Sequence, residues 1–320
     1  MTDIMKKIGE IGFVPLIVLD DANDAVPLAK ALVAGGIPVA ELTFRTSAAV
    51  ESLKKISKEV PEILLGAGTV HTVQQAKEAV AAGGKFIVTP GFLPELTSWC
   101  VDNSIDIIPG IVSPTDIEQV MKCGLTVCKF FPAEAYGGVK TLKALFGPYA
   151  GISFMPTGGV SQENMNDYLA LPNVTAVGGS FMVPESLVKA KKWDKITLLC
   201  KEIVKQQMGF QLLHIGINTK DAADADKVAH RLGSLFFQEV KEFTGAYFAG
   251  SMAEVVKGKF LGDMGHIAIQ TNDIDRAVAY FERNGVEIDH STAVRGSNGE
   301  LIAIYFKENV GGFALHLRRK

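Results

Sequence analysis

Between residues 13 and 205 the chain alternates a short apolar run with an amphipathic stretch eight times over, and that repetition leaves few folds open. The runs are 13–19, 39–44, 64–70, 85–89, 106–109, 126–131, 153–157 and 174–179. Most are continuously apolar, as parallel strands buried on both faces require. The stretches between them carry helix punctuation. Ser113-Pro114 opens an expected helix over 114–123, with proline suited to the first turn, and Ser161 precedes one expected over 162–171. Gly35-Gly36, Gly83-Gly84 and Gly124 close others as left-handed caps. An open, doubly wound sheet would give the same local pattern. Eight βα units in one run favour closure into a (β/α)8 TIM barrel.

After residues 205–209 the pattern changes and the chain repeats itself. Residues 213–221 (Leu-His-Ile-Gly-Ile-Asn-Thr-Lys-Asp) align without a gap on residues 265–273 (Gly-His-Ile-Ala-Ile-Gln-Thr-Asn-Asp), 52 positions later. Further strands are expected at 235–240, 246–249 and 252–256, then at 286–288, 301–306 and 313–317. The expected organisation is a barrel domain over 1–207 and a smaller α+β domain of duplicated βαβββ units over 208–320.

Composition narrows the function classes. With 32 Lys+Arg against 35 Asp+Glu the net charge is −3, and basic residues cluster only briefly, as at 189–192 and 318–320, so neither nucleic acid nor an anionic membrane is expected as partner. No apolar run reaches the ~20 residues that span a bilayer. Four cysteines without a C-x-x-C pair (Cys100, Cys123, Cys128 and Cys200) point to reduced thiols and a cytoplasmic setting.

In a barrel, chemistry belongs to the C-terminal strand ends and the loops beyond them. Lys129, beside Phe130 and Phe131 in the sixth run, stands out. Burial there favours the free amine, which imine formation with a ketone needs. The structural alternative is a snorkelling lysine or one paired with an acid such as Glu134. Glu41, in the second run, is a candidate proton shuttle, or else an ion-pair partner of Arg45 or Lys129. Arg45 offers a fork for a carboxylate, or braces backbone. Thr69, Thr89 and Thr157 end the third, fourth and seventh runs. Gly158-Gly159 and Gly179-Ser180 fall in the two loops that commonly cradle phosphate in barrels, and tight turns are the plainer explanation of either pair alone.

These residues resemble a known family. Glu-Leu-Thr-Phe-Arg-Thr (41–46), Gly-Ala-Gly-Thr-Val (66–70), Lys-Phe-Phe-Pro-Ala-Glu (129–134), Gly-Gly-Val-Lys (137–140), Pro-Thr-Gly-Gly-Val (156–160) and Gly-Gly-Ser (178–180) fall in order as in the 2-keto-3-deoxy-6-phosphogluconate (KDPG) and 4-hydroxy-2-oxoglutarate (KHG) aldolases. The resemblance implies a class I lyase with Lys129 as Schiff-base lysine and Glu41 as general acid/base. It implies Arg45 and Thr69 on the pyruvyl carboxylate, Thr89, Phe131 and Thr157 around the substrate, and Gly158, Gly159, Gly179 and Ser180 on the phosphate. A phosphorylated keto acid substrate, a homotrimer and no metal follow from the same resemblance. Thr89 and Phe44 depart from the family's usual serine and leucine. A phosphosugar isomerase or decarboxylase on the same barrel, and a non-catalytic ligand-binding fusion, are the competing readings.

Residues 211–320 look like the vicinal-oxygen-chelate superfamily that includes glyoxalase I and the bleomycin-resistance proteins. That resemblance implies candidate ligands for a divalent metal at His214, Glu254, His266 and His316, the last in place of a more usual glutamate.

Overall fold

The computed structural model describes residues 1–320, which divide into two compact units, Met1–Gln207 and Met208–Lys320. In the first, helix α1 (Asp3–Ile11) leads into eight strands: β1 (Phe13–Ile17), β2 (Val39–Thr43), β3 (Leu64–Gly68), β4 (Phe86–Val88), β5 (Asp106–Ile108, resumed as Gly110–Ile111), β6 (Val127–Phe130), β7 (Ser153–Pro156) and β8 (Val177–Gly179). Between them run α2 (Ala25–Ala34), α3 (Ala49–Glu59), α4 (Val73–Ala81), α5 (Pro94–Asp102), α6 (Pro114–Lys122), α7 (Gly138–Phe146) and α8 (Met165–Leu169), and α9 (Glu185–Lys189) and α10 (Trp193–Met208) follow β8.

Every strand pairing in this unit is parallel, and the ring closes. Phe13 of β1 lies opposite Val177 of β8, and Thr157, just past β7, bridges to Gly178. The Thr89 N–H donates to Ile108 O between β4 and β5, and Gly110 pairs with Lys129 between β5 and β6. The structure is therefore a (β/α) barrel and not an open sheet. β2 is buried along its whole length, its polar Glu41 and Thr43 included.

Local signals set the helix starts. At α6 the Ser113 side chain accepts from the Asp116 N–H and Asp116 accepts in return from the Ser113 N–H, a capping box with Pro114 in the first turn. The stretch after Ser161 behaves differently. Asn164 accepts from the Ser161 N–H and donates to Gly159 O, tying 161–164 into a turn, so α8 starts only at Met165.

The second unit is one eight-stranded sheet with two helices. In chain order it runs β9 (Gln211–Asn218), α11 (Ala222–Phe236), β10 (Val240–Glu242), β11 (Ala246–Ala249), β12 (Ala253–Val256), β13 (Gly265–Thr271), α12 (Ile274–Arg283), β14 (Ile288–Arg295), β15 (Leu301–Val310) and β16 (Phe313–Arg319). The spatial order is β10-β11-β12-β9-β13-β16-β15-β14. β9 and β13 pair antiparallel at the centre, each with a parallel neighbour on its other side, β12 and β16 respectively. Ala225 and Ala229 of α11 pack against Val255 of β12.

Two expected strands are corrected here. Residues 235–240 are mostly not strand: α11 runs to Phe236, and Phe237 ends it in the left-handed region with its N–H on Gly233 O. The Leu235-Phe236-Phe237 run is exposed and makes no buried strand face. A short apolar run does not by itself distinguish a helix end from a strand. Residues 286–288 give only the start of β14, which begins at Ile288 and continues through polar residues to Arg295.

Candidate active site

Glu41 and Lys129 meet inside the barrel. Glu41 lies on β2, opposite Leu16 of β1 and Gly66 of β3, and is fully buried. Lys129 lies on β6, between Gly110 of β5 and Met155 of β7, and is 4% exposed. The Lys129 Nζ donates to Glu41 Oε1 at 3.3 Å. The second carboxylate oxygen, Oε2, is buried with no hydrogen-bond partner. A buried carboxylate oxygen left unpaired is costly, and it is the kind of group a reaction uses. Gly68 makes the geometry possible, because a Cβ built there would stand 2.0 Å from Glu41 Oε1. Phe131, in the turn after β6, sets its ring centroid 5.6 Å from Nζ.

Of the sequence's alternatives for these two residues, Glu41 takes Lys129 as its partner and not Arg45. Glu134 does not reach Lys129. It accepts instead from the Tyr168 hydroxyl and from Asn164.

The remaining residues sit at the ends of the strands that carry this pair. Arg45 is exposed in the turn after β2 and makes no ion pair or hydrogen bond with the protein, so its fork stays available. A cavity of about 640 Å³ beside it is lined also by Thr43, Asp21, Ser180 and Lys191, but not by Lys129 or Glu41. Thr43 escaped the sequence reading; its hydroxyl donates to Ile17 O at 3.0 Å and ties the end of β2 to β1. Thr69 holds φ at 56°, unusual for a β-branched residue and costing about 1–3 kcal/mol. Strain of that size at a strand end is typical of functional loops.

Thr89 and Thr157 each hydrogen-bond within the scaffold. The Thr89 hydroxyl donates to Gly91 O at 2.7 Å and accepts from the Gly110 N–H, while that of Thr157 donates to Met155 O. Their hydroxyls shape the turns around the lumen. Gly158 and Gly159 both hold positive φ, 93° and 82°, and form the loop after β7. Gly179 ends β8 and Ser180 is exposed just beyond it.

A second cluster lies in the sheet-rich unit. His214 of β9, His266 of β13 and His316 of β16 are all buried, with one nitrogen from each within 4.8 Å of the others. His214 Nε2 lies 3.2 Å from His266 Nε2 and 3.1 Å from Glu254 Oε2 of β12. Strand alternation places Glu254 on the face opposite Val255 and therefore opposite α11. Gly216 makes the space, since a Cβ there would stand 2.0 Å from the His266 ring. Burial works against ionised Glu254, yet hydrogen bonds and charge from His214 and His266 hold its carboxyl down at about 2. Burial, then the nearby His266 and His214, push His316 down to about 3. Both His316 nitrogens and His266 Nδ1 are buried without a partner.

The family model for KDPG and KHG aldolase matches residues 4–199. The chain is similar to the 2-dehydro-3-deoxy-phosphogluconate aldolase of Haemophilus influenzae, at 44% identity over 63% of this chain and 95% of that protein. It is similar to the KHG/KDPG aldolase of Escherichia coli K12, at 47% identity over 60% of this chain and 90% of that one. Among solved structures it resembles the KDPG aldolase of Legionella pneumophila, with pyruvate captured as a covalent carbinolamine intermediate. That match has a TM-score of 0.61 and 41% identity, covering 63% of this chain and 98% of that one. The family model spans more than half of the chain, and the chain belongs to the KDPG and KHG aldolase family.

Proposed function

We propose that this aldolase works through a Schiff base on Lys129, cleaving KDPG to pyruvate and glyceraldehyde 3-phosphate, and KHG to pyruvate and glyoxylate. The observation that carries the reading is the 3.3 Å Lys129–Glu41 contact with a free Glu41 Oε2 beside it. The lysine amine attacks the C2 carbonyl, and loss of water gives an imine that accepts electrons from the C3–C4 bond. Glu41 takes the proton of the C4 hydroxyl as that bond breaks and the aldehyde leaves. The enamine left behind is protonated at C3, and hydrolysis of the imine frees pyruvate and the amine. Arg45, with no partner in the protein, binds the pyruvyl carboxylate, assisted by Thr69. The Gly158-Gly159 and Gly179-Ser180 loops hold the phosphate through backbone N–H groups. Reduction with borohydride in the presence of pyruvate tests the mechanism: one pyruvyl group is added at Lys129. An unlabelled protein, or label on another lysine, overturns it and favours an isomerase or decarboxylase in which Lys129 acts only by its charge.

For residues 208–320 the reading is a vicinal-oxygen-chelate-like domain of two βαβββ units. The 52-residue offset between His214 and His266, and the matching order of strands and helices, support it. A divalent metal fits His214, Glu254, His266 and His316: three imidazoles and one carboxylate suit a late first-row ion, and the orphaned imidazole nitrogens are ready donors. Such an ion would supply Lewis acidity there, while the aldolase reaction proposed for Lys129 requires none. Four free cysteines, three of them buried, are compatible with a reducing, cytoplasmic setting. A homotrimer follows from the family resemblance and is tested by sedimentation.

A further inference from the structure

Glu134, Tyr168 and Asn164 form a small polar network behind the Gly158-Gly159 loop that none of the steps above uses. The Glu134 backbone N–H donates to Gly158 O at 3.0 Å, and Asn164 Nδ2 donates to Gly159 O at 3.1 Å. Both carbonyls of the glycine pair are thus held from the protein side. The Glu134 stem presses on the loop as well, since a Cβ at Gly159 would come within 2.4 Å of Glu134 Cγ. Glu134 is itself held by the hydroxyl of Tyr168, a fully buried side chain, and by Asn164. Gly138 leaves room for this contact: a Cβ there would stand 2.6 Å from the Tyr168 hydroxyl and 2.9 Å from Glu134 Oε1. Burial, then the bond to Glu134, push the Tyr168 phenol above its ordinary range, so Tyr168 remains a proton donor at neutral pH.

We infer that Glu134, fixed by Tyr168 and Asn164, is a positioning residue for the loop after β7 and sets the enzyme's preference for substrates with a terminal phosphate. It touches no reacting atom. It acts through Gly158 and Gly159, whose carbonyls are held back so that the N–H edge of the loop faces a bound anion. The same residue follows Lys129 by five positions, so one short segment serves both ends of the substrate.

The inference rests on the phosphate reading of the 158–159 loop, and the test separates the two. The phosphorylated C6 keto acid is compared with its dephosphorylated form in the wild type, Tyr168→Phe, Glu134→Ala and Glu134→Gln, and borohydride trapping of pyruvate is measured alongside. A wild type that shows no preference for the phosphate removes the loop reading itself. With that preference present, Tyr168→Phe and Glu134→Ala lower kcat/KM for the phosphorylated substrate by about tenfold, mainly through KM, and leave the dephosphorylated one within about twofold. Glu134→Gln, which keeps the stem and an acceptor for Tyr168, restores most of the loss. Pyruvate trapping at Lys129 stays normal in all three, showing that the barrel is folded. An unchanged preference in Tyr168→Phe, or equal losses on both substrates, overturns the inference.

Discussion

The Nζ of Lys129 and Oε1 of Glu41, 88 positions apart in sequence, lie 3.3 Å from each other on strands that are not adjacent in the barrel. β2 and β6 face each other across the lumen, so the contact exists only once the ring has closed. A buried ion pair adds little net stability, because desolvation offsets most of its attraction. Here the desolvation cost is compensated still less, since Glu41 Oε2 is buried and unpaired. Chemistry accounts for that arrangement better than stability does.

Glu41→Gln should therefore separate two steps. It keeps the shape and removes the base, so cleavage should slow by about 10²–10⁴-fold while borohydride still traps pyruvate on Lys129. Steady-state turnover and the mass of the trapped protein check it. Near-normal turnover would assign the base to another group.

Gly68→Ala probes the same contact from the other side. Its methyl group would occupy the place of Glu41 Oε1, 2.0 Å away, with backbone and barrel leaving little room to shift. Overpacking of this kind costs about 1–3 kcal/mol. Turnover should fall with Tm, whereas Gly147→Ala, where nothing lies within 4 Å, should change neither. A Gly68→Ala enzyme with wild-type kcat would show that the Glu41 position is not critical.

Arg45→Ala should act on binding. The guanidinium has no partner in the protein, so its removal strands no buried charge and should leave Tm unchanged. Loss of a charge-assisted pair with the pyruvyl carboxylate should raise KM by about 10–100-fold with a smaller change in kcat. A large fall in kcat at unchanged KM would place Arg45 in the chemical step instead.

The βα alternation that defines the barrel was legible because strands buried on both faces, such as β4, are apolar almost throughout. Lys129 and Glu41 were legible for the same reason: charge within such a strand stands out. The role of Gly68 was not, since only the folded register shows which side chain lies over it. Glu134 looked like a partner for Lys129 by proximity in sequence, but the turn after β6 carries it toward Tyr168. In the sheet-rich unit, Leu235-Phe236-Phe237 reads as strand by composition, and only the amphipathic face set by Ala225 and Ala229 continues the helix through it.

The histidine cluster yields a prediction that separates the two units. The chain of residues 1–320 should bind Zn²⁺ or another late first-row ion in a calorimetric titration, about one ion per chain, through His214, His266, His316 and Glu254. His266→Ala should weaken that binding by at least about tenfold, since losing a ligand costs no less than disturbing its support. Aldolase activity should be unaffected by chelators and by His266→Ala, because Lys129 and Glu41 lie wholly within Met1–Gln207 and imine chemistry needs no Lewis acid. A chain ending at Gln207 should keep the activity too: aldolases such as the Haemophilus influenzae relative align with this chain over 95% of their own length within 201 residues. Absent binding in the titration would leave the cluster as buried neutral imidazoles around Glu254. Activity lost on chelation and restored by a divalent ion would overturn the metal-free Schiff-base mechanism itself.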